Sequence, residues 1–200
     1  MCTSPSNQST ATETGNNDDK VVWFAMSAPY RRELKARFYL NGKNIECFVP
    51  MRYEVVETRA GIKKRELVPA IHNLIFVHTS KNIIKQLKQG VDFLQYRTFP
   101  KNGKNIPITV PDKQMQQFIA VTESHNEELI YLRPDELQAE KGQRVRIHGG
   151  TFDGIEGVLV KIQGKRRRRV VVEIEGVAGI VLAEISPDLI EILPQKNDKQ

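Results

Sequence analysis

Residues 142–163 constrain the fold more than any other stretch of the chain. Val145 and Ile147 alternate with Arg144, Arg146 and His148, the period of a strand with one buried face. Gly149 and Gly150 then open a tight connection where positive φ is needed. Phe152 sits inside that loop, and Asp153-Gly154 turns the chain again. Gly157 lets two backbones approach closely before Val158, Val160 and Ile162 start a second strand. From Lys141 onward the pattern stays all-strand, over about 143–148, 157–163, 168–175, 178–183 and 189–193. Strands this short and closely spaced predict a small all-β barrel over 140–195.

The preceding residues read differently. Val21 to Met26, with Trp23 and Phe24, is a buried strand. A helix is expected from Pro29 to Leu40, with Tyr30, Leu34 and Phe38 on one face and Asn41-Gly42 as its stop. Ile45–Val49 is a second strand. Met51–Arg59 and Ile62–Val68 flank a turn and form a hairpin, and Asn73–His78 is a further apolar strand. Lys81–Lys88 is a helix with Ile84, Leu87 and Ile83 turned inward; Phe93–Arg97 and Ile106–Ile108 are short strands. Pro111 starts a last helix carrying Met115, Phe118, Ile119 and Thr122 on one side. The order β-α-β-β-β-α-β-α predicts an α/β layer over 21–123. Residues 124–139 read as a linker. Residues 1–20 hold almost nothing apolar and read as a disordered tail.

The formal net charge is +6, which permits contact with nucleic acid without demanding it, because 24 acidic residues dilute the basic ones. The densest cluster is Lys165, Arg166, Arg167, Arg168 and Arg169, at a hairpin tip. Like charges so crowded repel one another. Binding of RNA phosphates or of an acidic protein is one reading; a solvated tip is the other. The two cysteines, Cys2 and Cys47, lie far apart, so neither a disulfide framework nor a zinc site is expected, and a reducing cytoplasm fits. No apolar run reaches the length of a membrane span. His72, His78, His125 and His148 have no partners at ligand or triad spacing, and no Walker or Gly-x-Gly-x-x-Gly motif occurs. The chain reads as a binding protein, not an enzyme, with no cofactor and no metal.

Gly142, Val145, Gly150, Phe152, Gly154 and Gly157 together resemble the KOW motif. Val22-Trp23-Phe24-Ala25, the Arg-rich first helix, Phe48-Val49-Pro50 and the strand from His72 to Val77 resemble the NGN domain of the NusG family. An NGN domain, a linker and a KOW domain in that order make the NusG architecture, so the resemblance covers about 21–194. For the α/β layer it implies an antiparallel sheet flanked by helices. The family usually shows Phe-Pro-Gly-Tyr at the strand that here reads Ile71-His72-Asn73-Leu74. Asn in the glycine's place is more similar to RfaH, which implies a specialised paralogue of capsule or exopolysaccharide operons.

The resemblance implies an elongation and antitermination factor that binds RNA polymerase and suppresses pausing. Its NGN domain is then expected to dock on the β′ clamp helices through an apolar patch at Leu74 and Phe76, with Asn73 and Tyr30 beside them. Ser80 and Lys81 take the place where RfaH-like proteins touch the β subunit, although Ser80 also suits a helix cap. Arg31, Arg32 and Lys35 are expected near non-template DNA or nascent RNA, on a face separate from Leu34 and Phe38. The KOW domain implies Rho or a ribosomal protein as partner. A ribosome- or translation-associated RNA-binding protein is the other reading of the KOW half.

Overall fold

The structure is a computed structural model; it describes residues 18–59, 61–124, 126–133, 142–161, 168–182 and 185–194. The tail read over 1–20 lies outside the described residues as far as position 17, as do much of the expected linker and the center of the basic tip.

The first half runs β1 (Val21–Ser27), α1 (Glu33–Asn41), β2 (Glu46–Phe48), β3 (Met51–Glu57), β4 (Lys63–Pro69), β5 (Leu74–Ser80), α2 (Lys81–Gln89), β6 (Gln95–Tyr96), β7 (Thr98–Lys101), β8 (Lys104–Pro107), β9 (Thr109–Val110) and α3 (Asp112–Glu123). An antiparallel sheet in the order β2-β5-β1-β6, with β9 also on β1, forms its center. The register places Ala25 opposite Phe76 and Phe24 opposite Val77. Strand side chains alternate, so each face becomes a separate core. Trp23, Ala25, Leu74 and Phe76 pack with Met115, Phe118 and Val121 of α3. Phe24, Met26, Ile75 and Val77 pack with Ala36 and Leu40 of α1 and Ile84 and Leu87 of α2.

Helix α1 departs from the expected one. It starts at Glu33, because Tyr30 and Arg31 take φ of 62° and 55° and so cannot belong to a right-handed helix. Glu33, Ala36 and Leu40 face the sheet. The stripe read as inward is on the outside: Tyr30 is 83% exposed, Phe38 82% and Leu34 42%. Ile83, likewise expected inward, is exposed. The expected β3–β4 hairpin is present and stands as its own two-stranded sheet. A second ribbon, β7–β8, turns at Asn102-Gly103, both at positive φ, as a tight hairpin turn requires.

The second half comprises β10 (Ile130–Leu132), β11 (Gln143–Ile147), β12 (Glu156–Lys161), β13 (Arg168–Ile174), β14 (Ala178–Val181) and β15 (Ile190–Ile192). They form one antiparallel sheet in the order β10-β14-β13-β12-β11-β15. The expected closed barrel is not seen. Among the described residues, β10 and β15 are the ends of this order and do not pair with each other, so the region is sheet-rich without a closed barrel. β10 itself falls inside the stretch read as linker. Its apolar Ile130-Tyr131-Leu132 run pairs with β14, and the Tyr131 hydroxyl donates to the carbonyl of Met51 at 3.5 Å.

The two halves share a core. Ile108, Val110 and the α3 residues belong to the same buried cluster as Val145, Val170, Val172 and Ile180. Lys113 pairs with Glu156 at 3.0 Å, and the Gln114 amide donates to the carbonyl of Glu173 at 2.6 Å. Arg97 donates to the carbonyls of Val177 (3.5 Å) and Asn73 (3.3 Å). Burial lowers the pKa of this guanidinium.

Candidate functional site

Asn73 organises the surface that the sequence singles out. It takes φ of 59°, a conformation that Asn tolerates better than most residues. Its side-chain oxygen accepts the backbone N–H of Arg31 at 3.0 Å, and its carbonyl accepts Ala28 N–H at 3.2 Å. Its own N–H donates to the Glu33 carboxylate, which is 1% exposed. These bonds tie the β1–α1 connection to the start of β5 and fix how α1 lies on the sheet. Asn73 is therefore a bracket between two elements.

Leu74 and Phe76 do not form a docking patch. Both are 0% exposed, and the Phe76 ring meets Phe118 edge-on at 5.6 Å between centroids. Helix α3 covers them, so they belong to the core. Tyr30 is on the surface. Its ring lies under the guanidinium of Arg32 at 5.3 Å, and Asp92 holds Arg32 through two contacts of 3.2 Å. The hydrogen bonds from Arg32 keep the Asp92 carboxyl below its ordinary pKa.

The expected separation of charged and apolar faces on α1 is not observed. Leu34, Lys35 and Phe38 are all exposed on α1, and Arg31, just before the helix, is exposed as well. Lys35 also lies over the Phe93 ring at 5.0 Å. The only acid in α1 is Glu33, and that is buried against Asn73. The reading from sequence missed Leu34 and Phe38 as surface residues. The available signal was Glu33: a carboxylate at i, with Ala36 and Leu40 at i+3 and i+7, competes with the more apolar stripe for the inner face.

At the head of α2, Ser80 is buried and caps the helix, its hydroxyl accepting Ile83 N–H at 3.4 Å. Lys81 and Lys85 pair with Asp18 at 2.9 and 2.8 Å, and hydrogen bonds from both lysines lower the Asp18 pKa. Lys165, Arg166 and Arg167 lie outside the described residues. Arg168 starts β13, and Arg169 follows it, half-buried and opposite Val160.

The glycine-rich segment forms its loop around a buried Phe152. Val145 is fully buried and lies opposite Gly157, and Gly150 and Gly154 take φ of 70° and 75°. A Cβ on Gly157 would fall 2.7 Å from the Val171 carbonyl oxygen, and one on Gly142 would fall 2.3 Å from that of Leu159. Glu156, between these strands, accepts from Arg144 (3.2 Å), Arg146 (2.9 Å) and Lys113. Arg146 and Lys113 lower its pKa.

Among the described residues, no three His, Cys, Asp or Glu side chains are grouped to hold a metal ion. His78 stacks on Trp23 at 4.7 Å and contacts Glu46 at 2.6 Å, and His148 contacts Glu191 at 2.8 Å. Cys47 is half-buried and its thiol is pushed up to about 11, chiefly by burial. Among the described residues, no helix is long and apolar enough to cross a membrane.

Residues 21–119 match the family model described as "Transcription termination factor nusG". This segment is similar to the NusG family. The NusG match begins at the first residue of β1 and ends within α3, so the central sheet, α1, α2 and most of α3 fall inside it. The solved structure "Domain interaction in Thermotoga maritima NusG" is similar at 18% identity and a TM-score of 0.44, covering 88% of this chain and 98% of that one. Comparison with curated proteins gives no match.

Proposed function

We propose that this chain is a NusG-type transcription elongation and antitermination factor that binds RNA polymerase and suppresses pausing and termination. The observation that carries the reading is the NusG match over residues 21–119, which spans the central sheet, α1, α2 and most of α3. The factor works by binding, without catalysis, and shifts the polymerase between conformations through differential affinity. Its place of action is the cytoplasm. Polymerase docking falls to the exposed surface of the NusG segment, with Lys81 at the head of α2 among its charges, and not to Leu74 and Phe76.

The glycine-rich C-terminal sheet takes the part of a KOW unit, with Rho or a ribosomal protein as its partner. The Gly142 and Gly157 close approaches and the buried Phe152 support that assignment. Asn73, in place of the glycine usual at that strand, supports a specialised paralogue serving polysaccharide operons.

The test adds the full chain to RNA polymerase elongation complexes on a template with a pause and a terminator. The expected result is co-migration with the complex, shorter pauses and increased readthrough. Absence of association, or unchanged pausing and termination, would overturn the proposal.

A further inference from the structure

The β7–β8 ribbon has both of its faces in water. It forms a sheet of its own, and every residue from Thr98 to Ile106 is exposed. A two-stranded ribbon without a covered face adds little to stability. No acidic residue lies between Asp92 and Asp112, and the charges in that span are Arg97, Lys101 and Lys104. Lys101 stands opposite Lys104 beside the turn, and Phe99 stands opposite Ile106 further in. Alternation along the strands puts both pairs on one face. Phe99 is 41% exposed there and Ile106 36%. Like charges directly opposite each other destabilise a ribbon. Among the described residues, neither lysine has an ion pair to offset that cost.

Two lysines held together without an acid attract an anion. The edges of the ribbon argue against a protein strand as that partner. Pro100 in β7 and Pro107 in β8 each lack the N–H that an added strand would use. An unpaired nucleic acid finds a single ring on the ribbon, Phe99, and so no platform for successive bases. A DNA duplex fits the arrangement. Its major groove, about 12 Å wide, admits a two-stranded ribbon, and the tight turn at Asn102-Gly103 gives a narrow leading edge. Phosphates along the groove suit the lysines, and thymine methyl groups suit Phe99 and Ile106. The exposed Asn102 amide, at the turn, suits a base edge.

We infer that the β7–β8 ribbon is a duplex DNA site that enters the major groove, with Lys101 and Lys104 on phosphates and Phe99 and Ile106 against the base edges. The inference rests on the transcription reading for the source of the duplex, the template on either side of the polymerase. It concerns paired DNA and an element separate from α1, so it stands or falls independently of any contact made by that helix.

The experiment measures fluorescence anisotropy of a labelled DNA duplex, about 20 base pairs long, with the full chain over a range of salt, beside duplex RNA of matching sequence. Lys101→Gln and Lys104→Gln are each expected to flatten the salt slope by about 0.9. Phe99→Ser should weaken duplex binding several-fold and leave the slope unchanged. Lys101→Glu separates binding from the stability of the ribbon. Opposite charges then face each other across the strands and hold the ribbon at least as firmly, which amide exchange at residues 98–107 reads, while the new carboxylate repels phosphate and binding falls. Every variant keeps Lys165 to Arg169, so a change in binding belongs to the ribbon. Lysine variants with the affinity and salt slope of the unaltered chain would overturn the inference. So would an equal loss of binding to duplex RNA, whose deep, narrow major groove does not admit a ribbon. Loss of polymerase association in Lys101→Glu with duplex binding intact would make the ribbon a contact of the polymerase itself, and would also overturn it. A chain that promotes readthrough while its lysine variants bind duplex normally loses this inference and keeps the transcription reading. One whose ribbon binds duplex without any association with polymerase does the reverse.

Discussion

The carboxylate of Glu33, in the first turn of α1, accepts the backbone N–H of Asn73, the residue before β5. The carboxylate is buried, and the bond joins segments forty residues apart in sequence. Glu33→Ala removes the acceptor of a part-buried N–H, which costs about 0.5–1.5 kcal/mol. A urea titration is expected to show that loss. It should also show greater exposure of the β1–α1 connection to protease, because Arg31 and Ala28 depend on Asn73 for their own bonds. Stability within experimental error of the unaltered chain would remove Asn73 as the bracket.

Phe76→Asp is expected to prevent folding rather than to produce a folded protein with impaired docking. The ring is fully buried against Phe118, and a carboxylate there would have no partner. Phe76→Ala should fold with a loss of about 3–5 kcal/mol. Circular dichroism melts of the two variants check this, and a well-folded Phe76→Asp protein would contradict the placement of Phe76 under α3.

Most of the strand order was legible because period-two alternation and Gly/Pro punctuation act locally. Val145 and Ile147, the hairpin at 51–68 and the cap at Ser80 all follow from neighbours within a few residues. The side of α1 that faces the sheet was not legible. It depends on Glu33 finding Asn73, a contact no local window contains, and it turned the Tyr30-Leu34-Phe38 stripe outward. The same limit hid β10: Ile130-Tyr131-Leu132 becomes a strand because β14 offers it an edge. The candidate site was accordingly half legible. Its basic residues were visible from charge, and Tyr30 was placed in a docking patch, but Phe38 was read with an apolar stripe because apolar periodicity alone does not say which side is wet.

Glycines 142 and 157 separate close approach from backbone conformation as the reason for a glycine. Neither requires positive φ, yet a methyl group at either meets a carbonyl of the neighbouring strand at 2.3 or 2.7 Å. Gly142→Ala and Gly157→Ala should each cost about 1–3 kcal/mol through forced strand separation. Gly154 has open space around it and φ of 75°, so Gly154→Asn should be nearly neutral. Thermal melts of the three variants test the distinction. Equal loss at all three positions would contradict it.

Cys47 should resist alkylation in the folded protein. Burial pushes its thiol up to about 11, so little thiolate is present near neutral pH. Peptide-resolved mass spectrometry after a short iodoacetamide pulse at pH 7.5 should find Cys47 largely unmodified, and fully modified when the same pulse is applied in urea. Rapid native labelling would mean that β2 opens readily from the sheet edge.

Glu156 and Glu173, both beside the contact between α3 and the C-terminal sheet, should move stability in opposite directions with pH. Hydrogen bonds from Arg146 and Lys113 lower the Glu156 pKa. Its contribution is therefore complete above the unfolded value, near 4.5, and is lost as pH falls through the lower folded one. Burial, with Glu175 nearby, raises the Glu173 pKa. Its ionised form is a penalty at neutral pH that disappears as pH falls through the raised folded value toward the unfolded one. Acidification from neutrality should first add a little stability through Glu173 and then remove more through Glu156. Glu173→Gln should raise the melting temperature at pH 7 and abolish the first phase. Glu156→Gln should cost about 1–3 kcal/mol at pH 7 and weaken the second phase, below about pH 4. Melts of the three proteins across pH 3 to 8 decide the matter, and a Glu173→Gln variant less stable at pH 7 than the unaltered chain would reverse the sign assigned to that residue.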